Sequence, residues 1–388
     1  MSRPGPGSLC ETALRELVGD CEAPLALAVS GGGDSTALLH MIAAACRGQR
    51  KLVCFTVDHG LRDAAREEAA FVASACRRLG VMHRRLAWKQ PRARQAEARK
   101  ARHRLLAAAA REAGAGHLLT GHTRDDQDET FLMRARQGSG WFGLAGMDPL
   151  ALSPAWPEGR EVRVVRPLLG VSRAGLRDWL REQGHDWRDD PSNDDPAYER
   201  VRMRRLLDAA PGLAGRVRAS REKLETLRRA ELGRLSRLIS SRVRARADGS
   251  VWLDPRHVPP ETCQRLLGAL IQVAAGHARA PRGDGLRALT REIVAGGPQR
   301  PGTLAGAWIA RQGAAVMLAR DPGLVPSPPL SGDTVWDGRF VRAPGQSPPA
   351  PETAMSRRGL PPEPAGWCAL AGQRLEEMSN CWQILSRL

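Results

Sequence analysis

The chain has 388 residues, 42% of them hydrophobic, which is enough material for two domains with cores of their own. Its formal net charge of +17 makes a large polyanion the natural partner. No apolar run is long enough to span a bilayer, and Glu11, Glu16 and Asp20 break up the N-terminal segment, so neither a membrane span nor a secretory leader is expected.

Short apolar runs alternate with helical stretches from the start. Leu25–Val29 predicts a strand ended by Ser30-Gly31-Gly32-Gly33, and Thr36–Cys46 a helix. Lys51–Val57 predicts a second strand, Arg66–Leu79 a helix and Val81–Trp88 a third strand. Arg94–Ala113 is an arginine-rich helix, His117–Thr120 a fourth strand and Asp125–Arg136 a further helix that Gly138-Ser139-Gly140 ends. Such alternation implies an α/β fold with a doubly wound parallel sheet. Right-handed crossovers then put the loops after the strands on one edge, so segments 30–35, 58–62 and 121–126 should line one crevice.

Asp189–Asp195 reads as a turn-rich loop, and Ala197–Leu207 and Leu213–Ile239 as basic helices. From about residue 245 the texture changes to short strands, turns and one helix, Glu261–Ala275, a smaller C-terminal α+β region. The stretch after Arg320 is rich in proline and reads as a poorly packed extension, with a hairpin across Asp337-Gly338. Cys46, Cys54 and Cys76 lie among apolar residues and should pack as free thiols, because no C-x-x-C pair or Cys/His zinc spacing occurs.

Two segments carry chemistry. In Ser30-Gly31-Gly32-Gly33-Asp34-Ser35, glycines let the backbone approach an anion, the following helix adds its positive end, and both serines can donate to phosphate oxygens. Asp34 would repel phosphate unless a cation intervenes, which suggests Mg2+. The loop lacks the lysine of a Walker A motif. In the second segment Asp125, Asp126 and Glu129 follow His122 at helical spacing and should share its face. Like charges so placed call for a divalent metal or an ammonium group.

Basic residues cluster as well. Residues 80–104 hold nine Arg or Lys against one acid, and residues 200–229 hold ten against three, so both are candidates for phosphate contacts. Trp141 and Trp187 flank the expected loops, as core residues or as stacking platforms for a base.

The phosphate loop resembles the PP-loop of the adenine-nucleotide pyrophosphatases. Gly121-His122, Asp125-Asp126-Gln127, Glu129-Thr130, Gly138-Ser139-Gly140 and Gly143-Leu144-Ala145-Gly146-Met147 together resemble the signature of the tRNA(Ile)-lysidine synthetases. Val57-Asp58-His59-Gly60-Leu61-Arg62, Arg166-Pro167-Leu168-Leu169 and Asp190-Pro191-Ser192-Asn193 fit further motifs of that family. Two positions depart from it. Val201 stands where the family has Asn between arginines, and His103 where it has Tyr.

That resemblance implies an adenine nucleotide alpha-hydrolase-like fold, ATP and Mg2+ as cofactors, and cytoplasmic location. It also implies adenylation of the wobble cytidine of tRNA(Ile) with a CAU anticodon, followed by attack of free L-lysine. Catalytic roles fall on Asp34, Arg102 and Asp126. ATP binding falls on Ser30, Gly31, Gly32, Gly33, Asp34, Ser35 and Asp58, with Asp34 on the metal. Lysine binding falls on His122, Asp126 and Glu129, and tRNA binding on Arg200, Arg202 and Arg204. The implied plan is a PP-loop catalytic domain over 1–210, a basic helical linker over 211–244, a tRNA- or substrate-binding region over 245–320 and a proline-rich extension over 321–388. The alternatives are a PP-loop tRNA thiolase, disfavoured by the absence of C-x-x-C, and a non-catalytic tRNA-binding protein, disfavoured by the intact loop and acidic cluster.

Overall fold

A computed structural model describes residues 4–20, 22–58, 64–88, 95–189, 195–277, 279–296, 300–326, 335–342 and 367–388. The chain forms two compact units, one of residues 1–153, 161–230 and 387–388, the other of residues 154–160 and 231–386. The expected motif residues His59-Gly60-Leu61-Arg62 and Asp190-Pro191-Ser192-Asn193 lie outside the described residues.

The first unit runs α1 (Pro6–Val18), β1 (Leu25–Ala28), α2 (Gly33–Cys46), β2 (Leu52–Asp58), α3 (Ala64–Arg78), β3 (Met82–Ala87), α4 (Gln95–Glu112) and β4 (His117–Thr120). It continues with α5 (Arg124–Arg136), α6 (Trp141–Leu144), β5 (Leu150–Leu152), β6 (Arg163–Val165), α7 (Arg173–Glu182), α8 (Glu199–Ala209) and α9 (Pro211–Arg242), whose residues from Glu231 on belong to the second unit. The strands order as β3-β2-β1-β4-β6-β5. All neighbours are parallel except the edge pair of β5 and β6, two strands that the sequence pattern did not announce. The parallel, doubly wound fold is thus as expected.

Every residue of β1 and β4 is buried, which is why both read as unbroken apolar runs. Ala26, Ala28, Val53, Phe55 and Leu118 pack with Leu106 and Ala110 of α4 in one core cluster. The edge strand β3 has no fully buried residue. Strand order runs outward from β1 to β3 and then returns to β4 beside β1. This reversal is a topological switch point, and the crevice it leaves opens at the carboxyl ends of β1 and β4.

The second unit holds β7 (Val243–Ala245), β8 (Val251–Leu253), α10 (Pro260–Ala274), α11 (Asp284–Val294), β9 (Gly302–Leu304), β10 (Ala307–Gln312) and β11 (Ala315–Arg320). After these come β12 (Val335–Trp336), β13 (Phe340–Arg342), β14 (Trp367–Ala369) and α12 (Ala371–Arg387). Strands β7-β8-β11-β10-β9 make one sheet and β12-β13-β14 another, with antiparallel pairing in both, so the smaller α+β region is present. The hairpin across Asp337-Gly338 forms, with both residues at positive φ and Trp336 opposite Phe340.

Two expectations fail here. One helix was expected after residue 245, but α11 and α12 join α10. The end of the extension is also well packed: α12 buries Leu375, Met378, Cys381 and Leu385. Ser379 and Ser236 hydroxyls lie 2.8 Å apart. Those apolar residues recur at helical spacing, a signal masked by the prolines upstream. The cysteine expectation holds, for Cys46, Cys54 and Cys76 are all buried and free.

Buried histidines make the first unit acid-sensitive. Burial, then His185 and Arg78, pushes His40 of α2 down to about 4 from its ordinary 6.5. Its ring stacks on His185 at 3.6 Å between centroids. Burial, then Arg163 and Arg50, pushes His117 down to about 4 as well. The unfolded chain therefore takes up these protons first as pH falls. The stability they allow is complete above pH 6.5 and lost on acidification toward pH 4. The loss is at most about 3 kcal/mol per histidine. Urea midpoints measured across this window should fall steeply, and His40→Gln with His117→Gln should flatten the fall. An equally steep fall in the double variant would refute the assignment.

Candidate active site

Strand β1 delivers the chain to the phosphate loop, and α2 begins inside it. The helix starts at Gly33 rather than Thr36, because Thr36 N–H already donates to the Gly32 carbonyl at 2.9 Å. Gly32 is the N-cap and no side chain caps the helix, which leaves its first-turn N–H groups for an anion. Ser35 Oγ accepts from Ser30 N–H at 3.2 Å and donates to the Gly32 carbonyl at 3.0 Å, which fixes the loop's curl. Thr36 Oγ1 donates to the Gly31 carbonyl at 3.1 Å. The end of β4 presses against this turn. A Cβ on Gly121 would meet the Asp34 carbonyl oxygen at 3.0 Å and Ser35 Cα at 3.1 Å, so glycine is needed there for close approach.

The crevice encloses about 770 Å³. Its walls are Ser30 and Gly32–Ser35 on one side and Thr120–His122, Asp125 and Asp126 on the other. Helices α4, α7 and α8 add Arg102, Arg173, Arg177, Arg181, Arg200 and Arg204. Segments 30–35 and 121–126, two of the three expected to meet there, do so. Of the third, 58–62, only Asp58 lies among the described residues; it ends β2, is not on the crevice wall and pairs with Arg85 at 3.6 Å.

The acidic cluster differs from a simple helical face. Helix α5 starts at Arg124, with Thr123 as N-cap, so His122 enters from the end of β4 and not from the helix. Asp126 is the third helical residue and closes a capping box: its Oδ2 accepts from Thr123 N–H at 2.7 Å. Its Oδ1 accepts from Arg173 Nη2 at 2.9 Å. Glu129, 1% exposed, accepts from Arg200 Nε at 2.7 Å, Arg204 Nε at 2.9 Å and Arg173 Nη1 at 3.3 Å. The positive charge these carboxylates demand is therefore supplied by the chain's own guanidinium groups. Arg202, by contrast, donates to the Pro196 and Ala197 carbonyls.

Arg173 is the member that sequence reasoning missed. It also donates from Nε to Asp34 Oδ2 at 3.2 Å, and its backbone N–H donates to Asp125 Oδ2 at 2.8 Å. It thus bridges the phosphate loop to the acidic helix. One signal was available: an arginine at the first position of a helix opposes the helix dipole and needs nearby anions.

Ionisation follows this geometry. Burial raises the Asp34 carboxyl, with Arg173 opposing the shift and Asp126 adding to it. Burial works to raise Asp126 too, but Arg200, Arg173 and the Thr123 N–H outweigh it and hold the group below the usual carboxylate range. His122 is pushed down to about 3, first by burial and then by Arg166, with Asp126 opposing. Its imidazole is neutral near pH 7, and its Nδ1 lies 2.9 Å from Thr120 Oγ1. Among the described residues no group of three or more His, Cys, Asp or Glu is placed to hold a metal by itself. A Mg2+ held mostly by nucleotide phosphates needs only one or two carboxylates, and Asp34 on the crevice wall fits that requirement.

The glycine-rich run 143–147 proves structural. Gln127 clamps it, donating to the Met147 carbonyl at 2.9 Å and accepting from its N–H at 2.6 Å. Arg134 donates to the Gly143 and Gly146 carbonyls. A Cβ on Gly146, at φ +88°, would meet Gln127 Oε1 at 2.6 Å. Arg166 of the later motif donates to the Asp148 carbonyl at 2.7 Å. The indole of Trp187 lies against Gly33, 3.4 Å from where a Cβ would stand, and Trp141 packs edge-on to Phe142.

A strand-loop-helix anion site at the switch point of a parallel sheet, faced by carboxylates, defines a PP-loop ATP-using domain, and the pattern of the PP-loop domain matches residues 9–210. Among curated relatives, the tRNA(Ile)-lysidine synthase of Hyphomonas neptunium is 47% identical over 306 residues, 79% of this chain and 83% of that one. The tRNA(Ile)-lysidine synthase of Zymomonas mobilis is 37% identical over 331 residues, 82% of this chain and 88% of that one. The chain belongs to the tRNA(Ile)-lysidine synthase family. Among solved structures, the U34-tRNA thiolase NcsA of Methanococcus maripaludis superposes with a TM-score of 0.43 at 15% identity, over 55% of this chain and 78% of that one. No helix among the described residues is long and apolar enough to cross a membrane.

Asp128 turns away from the crevice, as its place in the sequence suggests, but not toward solvent. It is 2% exposed and pairs with Arg218 at 3.0 Å and Arg221 at 3.6 Å. Asp128→Asn should lower unfolding free energy by about 1–3 kcal/mol, since buried charged partners are left underpaired. Denaturant titration reads this directly, and a wild-type midpoint would contradict the buried pairing.

Proposed function

We propose that this enzyme ligates L-lysine to C2 of the wobble cytidine of tRNA(Ile) bearing the CAU anticodon, in two steps at the one crevice. The observation that carries the reading is the intact phosphate loop facing His122 and Asp126 in a chain 47% identical to a curated tRNA(Ile)-lysidine synthase. ATP enters with its phosphates on the N–H groups of α2 and the hydroxyls of Ser30 and Ser35. Asp34 would hold Mg2+, and the ion would supply positive charge to offset that of the pyrophosphate group. The cytidine C2 oxygen takes the adenylyl group, pyrophosphate leaves, and a poor leaving group becomes a good one. Arg102, on the crevice wall, offers its charge to the reacting phosphate.

Free lysine then presents its side-chain amine. In this reading His122 and Asp126 receive the ammonium, with the neutral imidazole as an acceptor and the ionised carboxylate as counter-charge. Glu129 supports them from beneath by holding Arg173, Arg200 and Arg204 in place. The amine must lose a proton before attack. Attack on C2 expels AMP and leaves lysidine, which changes codon reading from AUG to AUA. The cytoplasm, where tRNA and free lysine meet, is the expected location. Arg200 and Arg204 face the crevice with part of each guanidinium still exposed and can take an RNA phosphate as well as Glu129. Arg202 remains a proposed RNA contact at the edge of α8.

Incubation of the purified protein with ATP, labelled lysine and tRNA bearing the CAU anticodon should place label in the tRNA. Absence of label, together with absence of tRNA-dependent ATP–pyrophosphate exchange, would sink the reading. Asp34→Asn should lose adenylation by roughly 10²–10³-fold, the scale of a lost electrostatic stabiliser. Asp126→Asn should instead accumulate adenylated tRNA and respond to raised lysine. If Asp126→Asn fails to adenylate, Asp126 serves ATP or the metal and not the amine.

A further inference from the structure

Helix α7 carries Arg173, Arg177 and Arg181 four residues apart, which stacks them on one face. All three line the crevice, while Leu176 and Leu180, beside them on the helix, are buried. Side-chain exposure rises along the row, from 17% at Arg173 to 41% at Arg177 and 61% at Arg181. Arg173 at the floor is committed to Asp34, Asp126 and Glu129. Among the described residues the upper two form ion pairs with solvent-exposed carboxylates: Arg177 meets Asp189 at 3.1 Å and Arg181 meets Asp178 at 2.6 Å. Exposed pairs of this kind contribute about 0–1 kcal/mol, so a phosphate can replace the carboxylate at little cost. The Nε of Arg177 has no acceptor among the described residues. Arg181 also rests over the Trp187 ring, 5.7 Å from its centroid, and that ring lies on Gly33 of the phosphate loop.

We propose that Arg177 and Arg181 are the rungs on which the RNA backbone enters, each holding a phosphate that flanks the reacting nucleotide. The row extends about 12 Å along the helix at 1.5 Å per residue. That reach goes beyond what a pyrophosphate seated on the α2 N-terminus needs, whereas an RNA strand presents a phosphate at every nucleotide. The graded exposure supplies direction, with the most exposed charge at the mouth and the most buried at the reaction site. These are substrate-positioning residues that the family signature, concentrated in the phosphate loop and α5, does not include. The inference rests on the tRNA-modifying reading of the same crevice.

The test is Arg177→Gln combined with Arg181→Gln. Its control is Arg15→Gln, an exposed arginine outside both basic clusters and in a surface pair with Glu11. Removing each phosphate-holding guanidinium should raise the tRNA KM about tenfold and flatten the log–log salt dependence of tRNA binding by roughly 0.7. The ATP KM should stay at the wild-type value, and Arg177→Lys with Arg181→Lys should restore part of the slope. An unchanged tRNA KM and slope, or a loss equal to the control's, overturns the proposal. A raised ATP KM with normal tRNA binding also overturns it, because the rungs would then serve the nucleotide. A wild-type protein that neither binds nor modifies tRNA would fail the underlying reading instead, and the two failures are told apart by that first measurement.

Discussion

The crevice depends on one buried carboxylate. Glu129 is 1% exposed and joins three guanidinium groups, from α7 at Arg173 and from α8 at Arg200 and Arg204. A carboxylate removed from water costs several kcal/mol unless it is paired and hydrogen-bonded. Three charge-assisted hydrogen bonds meet that cost and tie helices α5, α7 and α8 at a single point. Remove the acid, and three arginines facing the crevice lose their common anchor.

From that anchor, charge is distributed in layers. Arg173 reaches from Glu129 past Asp126 to Asp34, so the acidic helix and the phosphate loop share one cation. Asp126 divides its oxygens between the Thr123 cap and Arg173, and so fixes both the start of α5 and the orientation of the bridge. The carboxylates and guanidinium groups of the crevice balance one another, so a charged ligand entering it would exchange partners with a resident group and would not have to create a buried charge. The neutral His122 fits such a site, since another positive charge among these arginines would be repelled.

Beneath the crevice, residues that look functional by sequence act as scaffold. Gln127 and Arg134 grip the 143–147 run, and Asp128 binds Arg218 and Arg221 of α9. Helix α5 thus works on two faces. One lines the crevice, and the other secures the glycine-rich turn and α9 that back it. Asp125, Asp126 and Glu129 were expected to share a face with His122 and to draw a metal or an ammonium group, but His122 precedes the helix and guanidinium groups meet the carboxylates. Periodicity tells which way a side chain points, but not whether water or another helix lies there.

The parallel sheet and the phosphate loop were legible in the sequence because both are local. Leu25–Ala28 is apolar at every position because both faces of β1 are covered, and glycines follow where the backbone must meet an anion. The capping box of Thr123 and Asp126 and the turn at Asp337-Gly338 likewise lie within a few residues of chain. Only the tertiary structure decided which charges meet. Arg173, Arg200 and Arg204 are 44, 71 and 75 residues from the Glu129 they join, at distances set by crossovers of the sheet and not by spacing along the chain. An arginine in a basic stretch looks the same in sequence whether it faces solvent or a buried carboxylate, because its charge and length suit both. The fold selects between them by deciding which carboxylates lose their water.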